Sequence, residues 1–193
     1  MRVLIVDADE ARRERVVEGL QAVEGARVLM VANTLGVIER IADFQPDIVI
    51  VACDSPARDA IDDLRRVTET NPRPIAMFVD RGDPEQAEEA LRAGVAAYVV
   101  DGLAPARIRP VLDLASAQFK VMQDLRRDLA QAKAELAARK QIEKAKGILM
   151  KRRGLDEASA YALLRRAAMN QGKSIAHVAS ELIASDALLG GEE

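Results

Sequence analysis

Over the first 110 residues, short apolar runs alternate with segments in which apolar residues recur at intervals of three or four. The apolar runs are too short and too rich in β-branched residues for helices, and they predict strands. These runs are residues 2–6, 27–31, 47–51, 74–79 and 97–100, and the segments between them predict helices at 10–22, 34–44, 59–70 and 84–93. Strands that are apolar on both faces belong in a parallel sheet covered by helices on both sides. The pattern therefore predicts an α/β, doubly wound, five-stranded parallel domain of the flavodoxin-like kind, with strand order 2-1-3-4-5.

After Pro105 the strand pattern does not return, and apolar residues follow the alternating spacing of three and four that is typical of a coiled coil. We call this row the seam, and its members are Ala115, Met122, Leu125, Leu129, Ala132 and Leu136. Gln118 and Arg139 interrupt the spacing, so we expect about three heptads. Our preferred interpretation is a homodimer, because a long isolated helix needs a partner for its apolar stripe. The alternative is a helix that packs on its own domain.

The long helix is expected to continue to about Arg153, where Gly154 fits a C-terminal cap. Asp156 and Ser174 then fit N-caps of two further helices, at residues 157–170 and 175–183. These segments predict a small three-helix bundle at the end of the chain. We therefore expect three parts, which are an α/β domain at 1–108, a coiled-coil linker helix at 109–138 and a helical domain at 139–189.

Composition excludes several classes of protein. Hydrophobic residues make up 49% of the 193 residues, enough for a sizeable core. Asp7 interrupts the first apolar run where a signal peptide would continue apolar, and no run approaches the roughly 18–20 apolar residues of a membrane span, so we expect a cytoplasmic protein without a membrane partner. One cysteine excludes an internal disulfide, and one histidine excludes a multi-histidine metal site. We expect no metal and no cofactor.

The net charge of −3 hides an uneven distribution. Residues 1–110 carry 14 arginines, no lysine and 20 acidic residues, whereas residues 133–173 carry 11 basic and 4 acidic residues. The second region therefore has a net charge of +7 and favours a polyanionic partner.

One helix within that basic region has two unlike faces. At about 100° per residue, Ile142, Ala145 and Leu149 fall on one side. Lys140, Lys144 and Lys151, which we call the lysine stripe, fall on the opposite side with Gly147 among them. A phosphate backbone can approach such a surface, although an ordinary solvated lysine face has the same pattern.

The first domain resembles a response-regulator receiver in the motifs Val3-Leu4-Ile5-Val6-Asp7 and Pro46-Asp47-Ile48-Val49-Ile50-Val51. Such a domain holds Mg²⁺ with an acid pair, accepts a phosphoryl group on an aspartate, and needs a hydroxyl and a lysine beside it. This chain keeps only one of the required groups. The corresponding positions carry Asp7, Ala8, Ala52, Val79 and Asp101. Asp54 is out of register, and loop acids are usually solvated. These departures from the receiver pattern predict a pseudo-receiver that is not phosphorylated by the usual route.

The C-terminal motif resembles an ANTAR domain. Its residues are Arg139-Lys140, Ile142-Glu143, Ala145-Lys146-Gly147-Ile148-Leu149-Met150, Glu157-Ala158, Leu164-Arg165 and Val178-Ala179. The order of receiver-like domain, coiled coil and this motif resembles the AmiR/NasT family. The segments Asp54-Ser55-Pro56, Pro72-Arg73-Pro74-Ile75 and Ala93-Gly94-Val95 are most similar to the nitrate regulators of the NasT type.

The resemblance implies a transcription antitermination regulator, active as a homodimer, that binds leader RNA with two stem-loops and prevents a terminator from forming. It also implies nitrate and nitrite assimilation genes as targets, and a nitrate-sensing inhibitor protein of the NasS type as partner. The residues that would contact RNA are Lys140, Lys144, Lys146, Lys151, Arg152, Arg165, Arg166 and Lys173.

Two details of that set stay open at the level of sequence. Lys146 projects away from the lysine stripe, and Arg165 alternatively pairs with Glu157 or Glu143. Tyr161 has a ring that could stack on a base, but its spacing on an apolar face predicts a core residue.

A DNA-binding transcription factor is the main alternative, because the helix at 175–183 has the look of a recognition helix. That helix carries His177 and Glu181 but no Arg or Lys, whereas a recognition helix presents several donors to the groove. A protein-binding adaptor is a third hypothesis, which the +7 charge of residues 133–173 disfavours. An enzyme is the least favoured class, because no acid–base constellation survives.

Overall fold

A computed structural model of the protein describes residues 1–21, 23, 25–33, 36–56, 58–101 and 103–189. The chain forms two compact units, Met1–Asp124 and Leu125–Glu193. The strands are β1 (Arg2–Val6), β2 (Arg27–Val31), β3 (Ile48–Cys53), β4 (Ile75–Val79) and β5 (Ala97–Val100). The helices are α1 (Glu10–Leu20), α2 (Val37–Phe44), α3 (Arg58–Thr70), α4 (Pro84–Arg92), α5 (Pro105–Arg153), α6 (Glu157–Gln171) and α7 (Ile175–Leu189).

The first unit is a five-stranded parallel sheet with the order β2-β1-β3-β4-β5, which confirms the predicted fold. The predicted start of α2 at Thr34 and the predicted end of α1 at residue 22 lie outside the described residues. Because all strands are parallel, their carboxyl ends share one edge of the sheet. In the register, Val6 pairs with Val51, and Cys53 pairs with Val79, so the loops after β1, β3 and β4 start side by side.

Alternate residues along the strands point to two separate apolar clusters. Ile5, Ile50 and Phe78 belong to one cluster, whereas Leu4, Val49 and Met77 belong to the other. Burial on both faces explains why the strands read as continuous apolar runs.

The first turns of α5 complete one of these clusters. Ile108, Leu112 and Ala115 are buried there against the sheet. The prediction that Ala115 belongs to the seam is therefore wrong. Its side chain is fully buried in the core of its own unit and is not available to a second helix.

The second unit combines the end of α5 with α6 and α7. Its core contains Ala145 and Leu149 from α5, Leu164 from α6 and Val178 from α7. The Asp156 carboxylate accepts a hydrogen bond of 2.7 Å from the Ser159 amide and so begins α6. Gly172 ends α6 with a φ of 64°, a conformation that favours glycine. The structure confirms the long helix and the C-terminal helical bundle, although α7 continues six residues past the predicted end.

Within the described part of the chain, no helix combines the length and the apolar character needed to cross a membrane.

Candidate functional site

The carboxyl edge of the sheet holds a buried arginine in contact with three carboxylates. The Nε of Arg12 lies 2.7 Å from Asp7, and its Nη1 lies 2.6 Å from both Asp54 and Asp80. The Arg12 residue is only 6% exposed, and Asp7 is 2% exposed. We call these four residues the arginine cluster. It ties together the loops after β1, β3 and β4.

The local sequence explains how Arg12 reaches this position. Asp9 is the N-cap of α1, and its carboxylate accepts a hydrogen bond of 2.9 Å from the Arg12 amide. The Asp7 carboxylate accepts a hydrogen bond of 2.9 Å from the Asp9 amide, which fixes the turn between β1 and α1. Arg12 therefore lies in the first turn of α1, from which its side chain reaches Asp7.

Charge pairing changes the proton affinities of the cluster. The hydrogen bond to Asp7 is the main reason that the pKa of Arg12 is raised, so the guanidinium stays charged. The hydrogen bond from Arg12 lowers the pKa of Asp54. Burial raises the pKa of the adjacent Cys53 thiol to about 11 and keeps it protonated at neutral pH.

The positions expected for phosphoryl chemistry carry other groups. Ala52 and Val79 are buried strand residues without a carboxylate or hydroxyl, and Ala8 is exposed. Asp101 has a φ of 48° and is exposed, so a carboxylate stands where a receiver has its lysine. Asp54 lies two residues beyond the acceptor position and contacts Arg12, so the expectation of a merely solvated acid is wrong.

These residues do not fit the Mg²⁺ ion of a receiver. The guanidinium of Arg12 takes the carboxylate oxygens that a hard cation needs, and Ala8 supplies no ligand. Across the described ranges, no group of three or more His, Cys, Asp or Glu side chains is arranged to hold a metal ion.

In the second unit, the lysine stripe is exposed along α5. Lys140, Lys144 and Lys151 are all exposed, and no ion pair involves them within the described residues. Gly147 is exposed among them, and a Cβ added there would meet nothing within 4 Å. The opposite side of this part of α5 packs into the core. The stripe is therefore an open cationic surface with bare backbone at its centre.

The structure places Lys146 apart from the other residues that were predicted to contact RNA. It is 7% exposed, and its Nζ lies 2.9 Å from Glu143 and 2.6 Å from Glu157. The hydrogen bond to Glu157, followed by the one to Glu143, raises the pKa of Lys146. The hydrogen bond from Lys146 lowers the pKa of Glu157. Lys146 thus joins α5 to α6. Glu143 and Glu157 therefore both bind Lys146. The alternative prediction, in which one of them pairs with Arg165, is not what the structure shows.

The remaining predicted cations differ in their surroundings. Arg152 contacts the carboxylate of Asp186, and the Nζ of Lys173 lies 2.5 Å from Glu181, so both charges are partly offset. Arg165 and Arg166 are exposed on α6. Tyr161 is 43% exposed, so the prediction of a core residue is wrong and its ring is accessible.

The rest of the seam is exposed in the single chain. Met122, Leu125, Leu129 and Leu136 are between 45% and 57% exposed, and Ala132 is exposed as well. A row of such side chains on one helix is unusual for a surface that stays in water.

Comparisons with known proteins agree with this division. The response regulator receiver family matches residues 3–113, and the ANTAR domain family matches residues 130–183. The fold and these two matches define a response regulator, in which a receiver precedes a helical output domain. The chain belongs to the receiver family and carries an ANTAR domain, which makes it an ANTAR-family response regulator.

Two relatives show how far the similarity extends. The transcriptional regulatory protein PdtaR of Mycobacterium tuberculosis is 28% identical over 183 residues, which cover 94% of this chain and 89% of that protein. A protein-glutamate methylesterase/protein-glutamine glutaminase of Rhodospirillum rubrum is 29% identical over 136 residues, which cover 66% of this chain but 36% of that enzyme. The methylesterases share the receiver only, and the family points to a regulator rather than an enzyme.

Solved structures support the fold of the first unit. The receiver domain of a modulated diguanylate cyclase from Desulfovibrio desulfuricans has a TM-score of 0.53 at 22% identity and covers 63% of this chain and 97% of that domain. The receiver domain of the response regulator NarL from Mycobacterium tuberculosis has a TM-score of 0.51 at 23% identity and covers 59% of this chain and 94% of that domain.

Proposed function

We propose that this protein is an RNA-binding transcription antitermination regulator. It binds leader RNA that carries two stem-loops and prevents a terminator hairpin from forming, so that transcription continues. The observation that carries the proposal is the exposed lysine stripe with Gly147 at its centre, on an ANTAR domain. Unpaired cations on one face suit the phosphates of an RNA loop. The absence of a side chain at Gly147 lets the RNA backbone approach the helix closely.

Tyr161 adds a group that cations cannot supply. RNA loops present unstacked bases, and exposed aromatic rings stack on them. The accessible ring of Tyr161 is the candidate for this role, beside the cations Arg165 and Arg166 on the same helix.

The receiver is controlled by a protein contact rather than by phosphorylation. The arginine cluster supports this part of the proposal, because Arg12 supplies the positive charge that Mg²⁺ and a lysine supply in other receivers. The acceptor position is Ala52, whose side chain has no carboxylate to phosphorylate.

The protein acts as a homodimer through the seam residues Met122 to Leu136. Two linked ANTAR domains would engage two stem-loops, and the linkage raises affinity without new contacts. The exposed apolar side chains of the seam support the homodimer.

The choice of target genes rests on sequence resemblance alone. We propose nitrate and nitrite assimilation genes, regulated in the cytoplasm, with a nitrate-sensing inhibitor of the NasS type as partner. The inhibitor would hold the regulator inactive until nitrate is bound.

In a transcription assay, the purified protein is added to a template whose leader encodes two stem-loops before a terminator. We expect a larger fraction of transcripts to pass the terminator, and no gain when one stem-loop is deleted. Equal readthrough with and without the protein on the leaders of nitrate, nitrite and unrelated operons would contradict the proposal.

A binding comparison separates this proposal from a DNA-binding factor. The described part of α7 presents no Arg or Lys, which favours RNA over the major groove. Leader RNA should therefore bind more tightly than the duplex DNA of the same sequence. Tighter binding to the duplex would favour the transcription-factor alternative.

A further inference from the structure

A cavity of about 320 Å³ lies on the second unit, where the end of α5 meets α6. The last residue of α5, the connection that follows it and one side of α6 form its walls. The residues that line it are Arg153, Leu155, Ser159, Ala162, Leu163 and Arg166. Cavities of roughly 300–1,000 Å³ that combine apolar walls with a few polar groups are typical of small-ligand sites.

The lining combines apolar walls with two cations. Leu155 and Leu163 are half-buried and pack against the core of this unit, so the apolar part of the cavity is fixed in place. Arg153 and Arg166 are exposed, and no ion pair involves either guanidinium within the described residues. The hydroxyl of Ser159 adds a group that can donate or accept a hydrogen bond.

The acidic residues nearest in sequence do not offset these charges. Asp156 accepts the hydrogen bond from the Ser159 amide, Glu157 binds Lys146, and neither carboxylate lines the cavity. A smaller cavity of about 160 Å³ nearby differs, because its lining includes the ion pair between Arg152 and Asp186. The larger cavity therefore has two guanidiniums and no carboxylate in its lining.

The larger cavity and the surface proposed for RNA lie on different sides of the helices. At about 100° per residue, Arg153 projects about 160° away from Lys151 on α5. On α6, Arg166 projects about 140° away from Tyr161. Of the residues predicted to contact RNA, Arg166 is the one that lines the cavity. A ligand in the cavity would therefore leave the lysine stripe open.

The charge of the lining selects the class of ligand. A guanidinium binds phosphate oxygens through paired hydrogen bonds, and two guanidiniums match the nearly double negative charge of a phosphate monoester. The half-buried leucines favour a ligand that also carries a compact apolar group. We infer that this cavity binds a small phosphate monoester with an apolar body. The inference goes beyond the proposed function and does not depend on RNA binding.

Each part of the lining has a role in this site. Arg153 and Arg166 bind the phosphate, and Ser159 donates a hydrogen bond to it. The apolar group of the ligand covers Leu155 and Leu163, which also belong to the core of the second unit. Binding should therefore stabilise that unit against unfolding, because the unfolded chain has no such cavity.

Calorimetric titration of the full-length protein with phenyl phosphate, without RNA, tests the site. We expect a dissociation constant below about 1 mM, since the probe is small and the arginines are exposed to solvent. Inorganic phosphate lacks the apolar group and phenol lacks the charge, so each should bind at least about tenfold more weakly. No binding of phenyl phosphate up to about 10 mM, or equal binding of inorganic phosphate, would overturn the inference.

Three variants locate the bound probe. Arg153→Ala should weaken phenyl phosphate binding roughly tenfold, because one charged partner is lost. Ala162→Phe should weaken it at least as much, since an exposed position tolerates the ring and the ring fills the cavity. Arg139→Ala removes an exposed arginine about 21 Å away along α5 and is the matched control. Equal losses in Arg139→Ala and Arg153→Ala would indicate general charge attraction and would refute the site.

RNA titration distinguishes a separate ligand site from a part of the RNA surface. Arg153→Ala should bind leader RNA as the wild type does. A loss of RNA affinity in both Arg153→Ala and Ala162→Phe would assign the cavity to the RNA surface and overturn the inference. Wild-type protein that binds phenyl phosphate but no leader RNA would support the inference and contradict only the proposed function.

Discussion

The guanidinium of Arg12 lies 2.7 Å from the buried carboxylate of Asp7 and extends the same contact to two further carboxylates. The partners of Arg12 come from the loops after three strands, so one side chain joins the part of the sheet edge where a receiver holds its metal. The receiver thereby carries a cation of its own at this edge of the sheet.

Removal of that cation should destabilise the first unit. In Arg12→Leu the buried Asp7 loses its partner, which costs about 3–5 kcal/mol of unfolding free energy. Urea unfolding followed by circular dichroism measures the difference. Arg15→Leu, an exposed change on the same helix, serves as the control and should leave the stability within about 0.5 kcal/mol. Equal stability of wild type and Arg12→Leu would contradict the structural role of Arg12.

The wild-type protein should not accept a phosphoryl group from small donors. Acetyl phosphate with Mg²⁺ should add no mass to the intact protein, because Ala52 offers no carboxylate and Arg12 occupies the acids. Mass spectrometry of the intact protein, beside an active receiver treated in the same way, makes the comparison. A stoichiometric acyl phosphate would show that another carboxylate, such as Asp54, acts as acceptor.

The contact between Arg12 and Asp54 should make stability depend on pH in the acidic range. The folded pKa of Asp54 lies below its ordinary value, so its contribution is fully present above the unfolded pKa of about 3.9 and is lost as pH falls through the folded pKa. The urea midpoints of wild type and Asp54→Asn should therefore differ at neutral pH and converge below about pH 4. A difference that stays constant down to pH 2 would exclude this linkage.

Substitution of Lys146 should lower stability, whereas substitution of Lys144 should weaken RNA binding. Lys146→Met removes the ammonium that joins Glu143 to Glu157, and should lower the thermal midpoint of the second unit by several degrees. Lys144→Met changes an exposed side chain, and should weaken RNA binding with little change in the midpoint. Calorimetry and RNA titration of both variants make the test. A stable Lys146→Met protein with weakened RNA binding would restore the original assignment of Lys146 to the RNA surface.

The sequence predicted the strands because an apolar run is a local property, and it predicted their order because the alternation of strands and helices fits the doubly wound fold. It could not predict the arginine cluster, since the partners of Arg12 lie 42 and 68 residues away from it at Asp54 and Asp80. The one hint in the sequence of such an ion-pair cluster was Arg12, in the first turn of the helix that follows Asp7, in a domain with many acidic residues.

Two errors in the second half of the chain have the same physical origin. An apolar spacing of three and four residues is found both in a helix that packs on a sheet and in a helix of a coiled coil. The spacing alone therefore could not show that Ala115 packs on the sheet. A helical projection of α5 also cannot show Glu157, which lies 11 residues from Lys146 on the next helix. The exposure of Lys144 and Lys151 on the lysine stripe, by contrast, followed from periodicity on a single helix.

The most direct test of RNA binding through the lysine stripe is a titration of leader RNA with two stem-loops across a salt series. Wild type, Lys144→Ala, Lys151→Ala and the exposed control Lys120→Ala are compared. Each stripe variant should bind more weakly and reduce the slope of log affinity against log salt by roughly 0.7–1, since one phosphate contact is lost. Lys120→Ala should match wild type. Wild-type affinity and slope in both stripe variants would contradict the account.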